Sequence, residues 1–197
     1  MKTVARCICA KTRVSAPLRL ISTLFALALL LHALAWASDP SLLHVHNLGK
    51  VNQHLLRGAE PDALALQELA ACGVKLVVDL REPGTGPRLE QARTEKLGLR
   101  YVNIPFPPLS APTPGLVGSV LKLLAENSSD TVFLHCRRGK DRTGTVIACY
   151  RIQHDGWTNE KALAEAKSYG MSAAERGMRQ FVLHFTPLTI DSPFSGK

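Results

Sequence analysis

Residues 135–144 read HCRRGKDRTG: one cysteine, Cys136, follows His135 and precedes Arg137, Arg138, Lys140 and Arg142, with Gly139, Gly144 and Thr143 interspersed. Burying several unpaired cations costs far more than one thiol returns, so the stretch belongs at a surface. A solvated basic turn would explain the charge alone. The flanks ask for more, because TVFLH runs apolar into the stretch and TGTVIACYRIQHDG leaves it as a compact apolar helix expected to start near Thr143. The loop is therefore expected between a buried strand and a helix N-terminus, where N–H groups without intrahelical partners bind anions. Successive amides from Arg137 to Arg142 would wrap a tetrahedral oxyanion as a nest, with glycine allowing the tight turn. The same field favours the thiolate of Cys136, aimed at a bound phosphorus. Arg142 offers two parallel donors to the equatorial oxygens, contacts that strengthen as charge spreads in a transition state.

The elements that must hold this loop are legible as alternating strand and helix patterns from Leu42 onward. HLLRG reads as a strand ending at Gly58, and EPDALALQELAACG as a helix with Pro61 in its first turn and Gly73 at its end. VKLVVDLR is a nearly continuous run of the kind found in buried strands, RLEQARTEKLG a helix closing on glycine, and LRYVNIP a strand stopped by Pro105. Residues 105–115 hold five prolines and no charge, which predicts a semi-rigid connector. Helices follow in LVGSVLKLLAEN, in NEKALAEAKSYG after Thr158 as N-cap, and from Ser172, where Ser172 and Glu175 fit a capping box and Met178, Phe181, Val182 and Phe185 make an ordinary core stripe. The expected fold is an α/β sandwich around a central sheet.

Length and charge narrow the role. The chain has 197 residues, 46% of them apolar, enough for one domain with a core. The first 19 residues carry five cations and no acid, LISTLFALALLLHALAWA follows, and Ala35 and Ala37 stand at the A-x-A spacing of a cleavage site. This predicts a secretory signal over residues 1–37, with a single domain over 38–197 whose core spans about 42–187. An uncleaved membrane anchor is the alternative, disfavoured by His32 within the run. Removing residues 1–37 takes five of the 24 basic residues and none of the 16 acidic ones, so the formal charge falls from +8 to +3. That leaves no broad basic face for nucleic acid. Cys72, Cys136 and Cys149 remain, an odd number without metal-ligand spacing. Neither a metal nor a cofactor is implied, and Cys136 is expected as a free thiol.

Cys136, five residues, Arg142 and Thr143 match the Cys-x5-Arg-Ser/Thr signature of the cysteine-dependent tyrosine and dual-specificity phosphatases. With LLRGAEP and VVDLR upstream, the chain from about His54 to Trp157 resembles their compact atypical members from plants and fungi and exported bacterial relatives. The resemblance implies a nucleophile at Cys136, a transition-state clamp at Arg142, a loop-holding His135, and a Thr143 hydroxyl that assists departure of the thiolate. It implies substrate binding by Arg137, Arg138, Gly139, Lys140, Asp141 and Arg142, and a phosphorylated protein or an anionic phosphorylated small molecule as partner. A monomer without nucleic acid or stable membrane association after cleavage is expected.

The sequence departs from the family pattern at one place. Relatives carry an aspartate as general acid in the loop after the strand matching LRYVNIP, yet no Asp or Glu occurs here between Glu95 and Glu126. Asp141 is the candidate substitute, although pairing with a neighbouring cation is its more ordinary role. Asp79 and Arg81 read as a structural ion pair or a capping feature rather than as catalytic residues, and REPGTGPR as a mobile flap near the site. Two other readings carry different chemistry: sulfur transfer of the rhodanese kind, which needs no Arg142, and a phosphate-binding module without turnover.

Overall fold

The computed structural model describes residues 44–189, so the expected signal segment and its cleavage point lie outside the described residues. Among the described residues no helix is long and apolar enough to cross a membrane. The five strands are β1 (Gly49–Lys50), β2 (Leu55–Ala59), β3 (Val74–Asp79), β4 (Arg100–Asn103) and β5 (Thr131–Cys136), in the sheet order β1-β2-β5-β3-β4. β2, β5, β3 and β4 run parallel, and β1 closes one edge antiparallel to β2. The helices are α1 (Ala63–Ala71), α2 (Thr85–Lys96), α3 (Pro114–Glu126), α4 (Asp141–Asp155), α5 (Asn159–Ser168) and α6 (Arg176–His184).

Side chains of a strand alternate between faces, and here each face has its own core. Leu76, Val78, Val132, Leu134 and Cys136 pack on the side of α3, α4, α5 and α6. Val74, Val77, Leu56 and Phe133 pack on the other side, with Leu66 and Leu69 of α1. β5 is the middle strand, so its carboxyl end is enclosed by β2 and β3, the crevice where parallel α/β sheets place their ligands. α4 leaves that end through the centre of the helical layer, with Thr143 to Cys149 buried without a break.

Four boundaries differ from the sequence reading, each for a local reason. Pro61 precedes α1, because Asp62 takes the N-cap and accepts from the Ala65 N–H at 2.8 Å. α4 starts at Asp141, two residues before Thr143, with Gly144 N–H already donating to the Lys140 carbonyl. The second half of REPGTGPR is the first turn of α2. α6 starts at Arg176; the Ser172 hydroxyl accepts from the Ala174 N–H in a turn, and the Glu175 side chain makes no capping bond.

Candidate active site

Between Cys136 and Arg142 the backbone points its carbonyls out and its amides in. The Arg137 carbonyl accepts from the Glu60 N–H, and Asn47 Nδ2 donates to the carbonyls of Arg138 and Gly139. Arg57 Nη2 donates to the same Gly139 carbonyl at 2.6 Å. Among the described residues no amide from Arg137 to Arg142 has a protein acceptor, which leaves these donors available to an anion bound over Cys136. Unpartnered amides in this array form an anion nest, reinforced by the N-terminus of the 15-residue α4.

Gly139 makes that turn possible. Its φ is +64°, and a Cβ there would meet the Gly58 backbone at 2.4 Å, so the loop lies directly on β2. Beneath it, Arg57 is 1% exposed, stacks 3.8 Å from the Tyr169 ring centroid, and keeps Nε and Nη1 without partners. Burial draws its guanidinium down to about 10, against the raising influence of Tyr169, Glu165 and Cys136. It remains a cation at neutral pH, buried within the field of the thiol.

Strand alternation sends His135 to the face opposite Cys136. There it is fully buried, stacks on Phe133, and places Nε2 2.8 Å from Glu90 Oε1 and Nδ1 4.0 Å from Asp79 Oδ1. Neither contact has hydrogen-bond alignment, and burial with the stack on Phe133 is what holds the ring. Arg81 gathers the acids: it donates to both oxygens of Asp79 and pairs with Glu90 and Glu60. Burial alone would raise the Asp79 carboxyl, but hydrogen bonds from Arg81, the His135 charge and the Tyr101 hydroxyl together hold it below its ordinary value. Asp79, Glu90 and His135 offer ligand atoms within 4.8 Å of one another, but the Arg81 guanidinium already supplies the cation. The structural ion pair expected of Asp79 and Arg81 is present in this larger form.

A cavity of about 740 Å³ opens over Cys136, walled by Arg137, Arg138, Asp141 and Arg142 from the loop and by Glu60, Leu109, Glu175 and Met178 from outside it. Cys136 is 3% exposed at its floor. Arg142 is anchored by Nη1, which donates to the carbonyls of Leu80 at 3.2 Å and Phe106 at 3.4 Å, and lines the cavity. Thr143 is fully buried, and its hydroxyl has no partner among the described residues. Lys140 turns away: it packs beside Gly170 and lines a second cavity of about 820 Å³ with His46, Arg93 and the outer faces of Arg137 and Arg138. Asp141 has both oxygens engaged, Oδ1 by the Ser172 N–H at 2.8 Å and Oδ2 by Arg138 at 3.2 Å. It fastens the loop to the turn before α6, the cation-pairing role that is its more ordinary one.

Comparison with known proteins decides the family. The model described as PTP-NADK, "DSP-PTPase phosphatase fused to NAD+ Kinase", matches residues 44–183. The chain belongs to this DSP-PTPase family. Among curated relatives, the dual specificity protein phosphatase TpbA of Pseudomonas aeruginosa is 31% identical over 138 residues, 69% of this chain and 59% of its own. The chain thus spans little more than half of that relative's length. A CDC14 homologue of Schizosaccharomyces pombe, a tyrosine-protein phosphatase, is 31% identical over 53% of this chain and 19% of its own. The crystal structure of TpbA superposes with a TM-score of 0.63 at 28% identity, covering 75% of this chain and 88% of the other. The catalytic core of the PP-IP phosphatase SIW14 from S. cerevisiae shares the fold, with a TM-score of 0.63 at 19% identity over 72% and 86% of the two chains.

Several residues that shape this DSP-PTPase site carry no local motif. Asn47, Arg57, Glu90 and Glu175 meet the loop or its cavity from separate segments, and Tyr169 stacks on Arg57 behind it. Two had a readable signal. A lone arginine inside the apolar HLLRGA strand demands a buried partner, and a helix whose buried positions are Glu90 and Thr94, with Leu89 left 53% exposed, must be turning a polar face inward.

Proposed function

We propose that the chain is an exported, thiol-dependent phosphatase that acts as a monomer on phosphate monoesters. Cys136 is the nucleophile, Arg142 the clamp on the transferring phosphoryl group, His135 the anchor behind the loop, and Thr143 the hydroxyl that eases sulfur departure. The observation that carries this reading is the set of loop amides left without protein acceptors above Cys136, with three neighbouring carbonyls drawn outward by Glu60, Asn47 and Arg57. Such a nest holds three non-bridging oxygens and leaves phosphorus facing the sulfur, and its preorganised donors gain strength as charge develops. Sulfur then displaces the ester oxygen, and water displaces sulfur from the cysteinyl-phosphate. Family membership and the TpbA relatives support the same assignment.

The substrate is highly anionic. Arg137 and Arg138 are exposed on the rim, while Lys140 and Arg93 extend positive charge into the adjoining cavity. Phosphotyrosine proteins and inositol polyphosphates both fit this description; a TpbA variant has been crystallised with pTyr, and SIW14 is described as a PP-IP phosphatase. Export rests on the basic start, the apolar run and the Ala35-x-Ala37 spacing. Hydrolysis of an aryl phosphate by purified protein in chelator, abolished in Cys136→Ser and in Arg142→Ala, is the expected result. Turnover surviving in both variants refutes the assignment. N-terminal sequencing of exported chain is expected to begin at Ser38.

A further inference from the structure

The cavity above Cys136 is lined by three carboxyl groups, Glu60, Asp141 and Glu175, and their surroundings separate them. Glu60 is paired with Arg81. Asp141 accepts a hydrogen bond on each oxygen, from Ser172 and from Arg138. Glu175 stands at the N-cap of α6, makes no capping bond, and among the described residues has no hydrogen-bond or ion-pair partner for its carboxyl group. The residue is nevertheless only 6% exposed, and it shares the cavity wall with Leu109 and Met178.

A carboxyl group with no partner among the described residues, on a nearly buried residue that lines the cavity over Cys136, has the surroundings of a proton donor rather than of a scaffold residue. Burial and the adjacent Asp141 charge raise Glu175 above the ordinary glutamate value, opposed by Arg138 and Arg142 across the cavity. Glu60 and Arg137 complete the charged groups on its walls. The polyproline connector, which lacks any acid, contributes only Pro108 and Leu109 to the same space.

We propose that Glu175 is the general acid and base of this site, an inference that rests on the phosphatase reading. In the first step Cys136 Sγ bonds to phosphorus as the phosphorus–oxygen bond of the ester breaks. The electron pair of that bond stays on the leaving oxygen, which takes the proton of Glu175. In the second step the Glu175 carboxylate accepts a proton from water as the water oxygen bonds to phosphorus and the phosphorus–sulfur bond breaks. Thiolate and inorganic phosphate are released, and Glu175 is protonated again.

The test compares full-length wild type, Glu175→Gln and Glu175→Asp on phenyl phosphate, whose leaving oxygen needs a proton, and on dinitrophenyl phosphate, whose leaving group is a stable anion. Glu175→Gln is expected to lose about 100-fold or more in kcat on the phenyl ester and only a few-fold on the dinitrophenyl ester. The basic limb of its kcat–pH profile disappears, and Glu175→Asp recovers part of the loss. Unchanged inhibition by inorganic phosphate shows that the nest is intact in both variants. Equal losses on the two esters, or undiminished turnover of the phenyl ester, overturn the role of Glu175. Wild type inert toward both esters, or a Cys136→Ser variant that still turns them over, instead refutes the phosphatase reading and this role with it.

Discussion

Replacing Gly139 by alanine tests the link between the turn of the loop and anion binding. With φ at +64°, an alanine costs about 1–2 kcal/mol in the left-handed region. Its Cβ would also lie 2.4 Å from the Gly58 carbonyl carbon and oxygen and 2.6 Å from the Ala59 nitrogen. These are backbone atoms of an interior strand, so no side-chain rotation relieves the overlap, and overpacking of this kind adds about 1–3 kcal/mol. The summed penalty is about 2–5 kcal/mol, which at about 2–4 °C per kcal/mol lowers Tm by between about 4 and 20 °C if the loop keeps its path. If it does not, the loop lifts off β2, the Asn47 and Arg57 bonds to the Gly139 carbonyl break, and the amides no longer converge. Scanning fluorimetry and calorimetric titration with inorganic phosphate separate the two outcomes, since each predicts a loss in at least one readout. An alanine variant with wild-type Tm and wild-type phosphate affinity would refute the account of the nest.

Arg57→Met removes a charge-assisted hydrogen bond and a buried stacking contact, each about 2 kcal/mol, but also two unpartnered buried donors costing about 1–3 kcal/mol each. Stability in urea is therefore expected to change by less than about 2 kcal/mol while phosphate affinity falls; a larger loss of stability contradicts that cancellation. The folded state holds Asp79 below its ordinary value, so its contribution is fully present above about pH 4 and is lost as pH falls through the lower folded value. Urea unfolding of Asp79→Asn is expected to show a shallower acid limb than wild type. Arg142→Lys keeps the charge and loses the planar fork, and kcat on an aryl phosphate is expected to fall about 100- to 1000-fold.

What the sequence disclosed follows from the range of the forces involved. The apolar runs VKLVVD and TVFLHC mark β3 and β5 because each residue contributes to burial on its own, and Thr158 marks the start of α5 because its hydroxyl accepts from Lys161 three residues later. The proposed nucleophile, Cys136, and the proposed clamp, Arg142, could be named together for a similar reason, since one loop holds both. The partners of that loop were not. Asn47 reaches Gly139 across 92 residues and Arg57 across 82, distances at which neither periodicity nor spacing leaves a trace. The start of α6 was misplaced because Ser172 spends its N–H on Asp141 and its hydroxyl on a turn, competition that only tertiary contacts reveal.

Arg137 and Arg138 both contribute backbone amides to the loop, but the Arg138 side chain is bonded to Asp141, whereas that of Arg137 is exposed. If the proposed site holds a phosphoryl group, atoms common to every amino acid grip it, and the Arg137 guanidinium is left to meet whatever the group is attached to. Exchanging that arm for another residue would redirect the proposed site to different cargo without retooling its chemistry, which makes position 137 the natural place to engineer, or to look for, divergence in substrate choice.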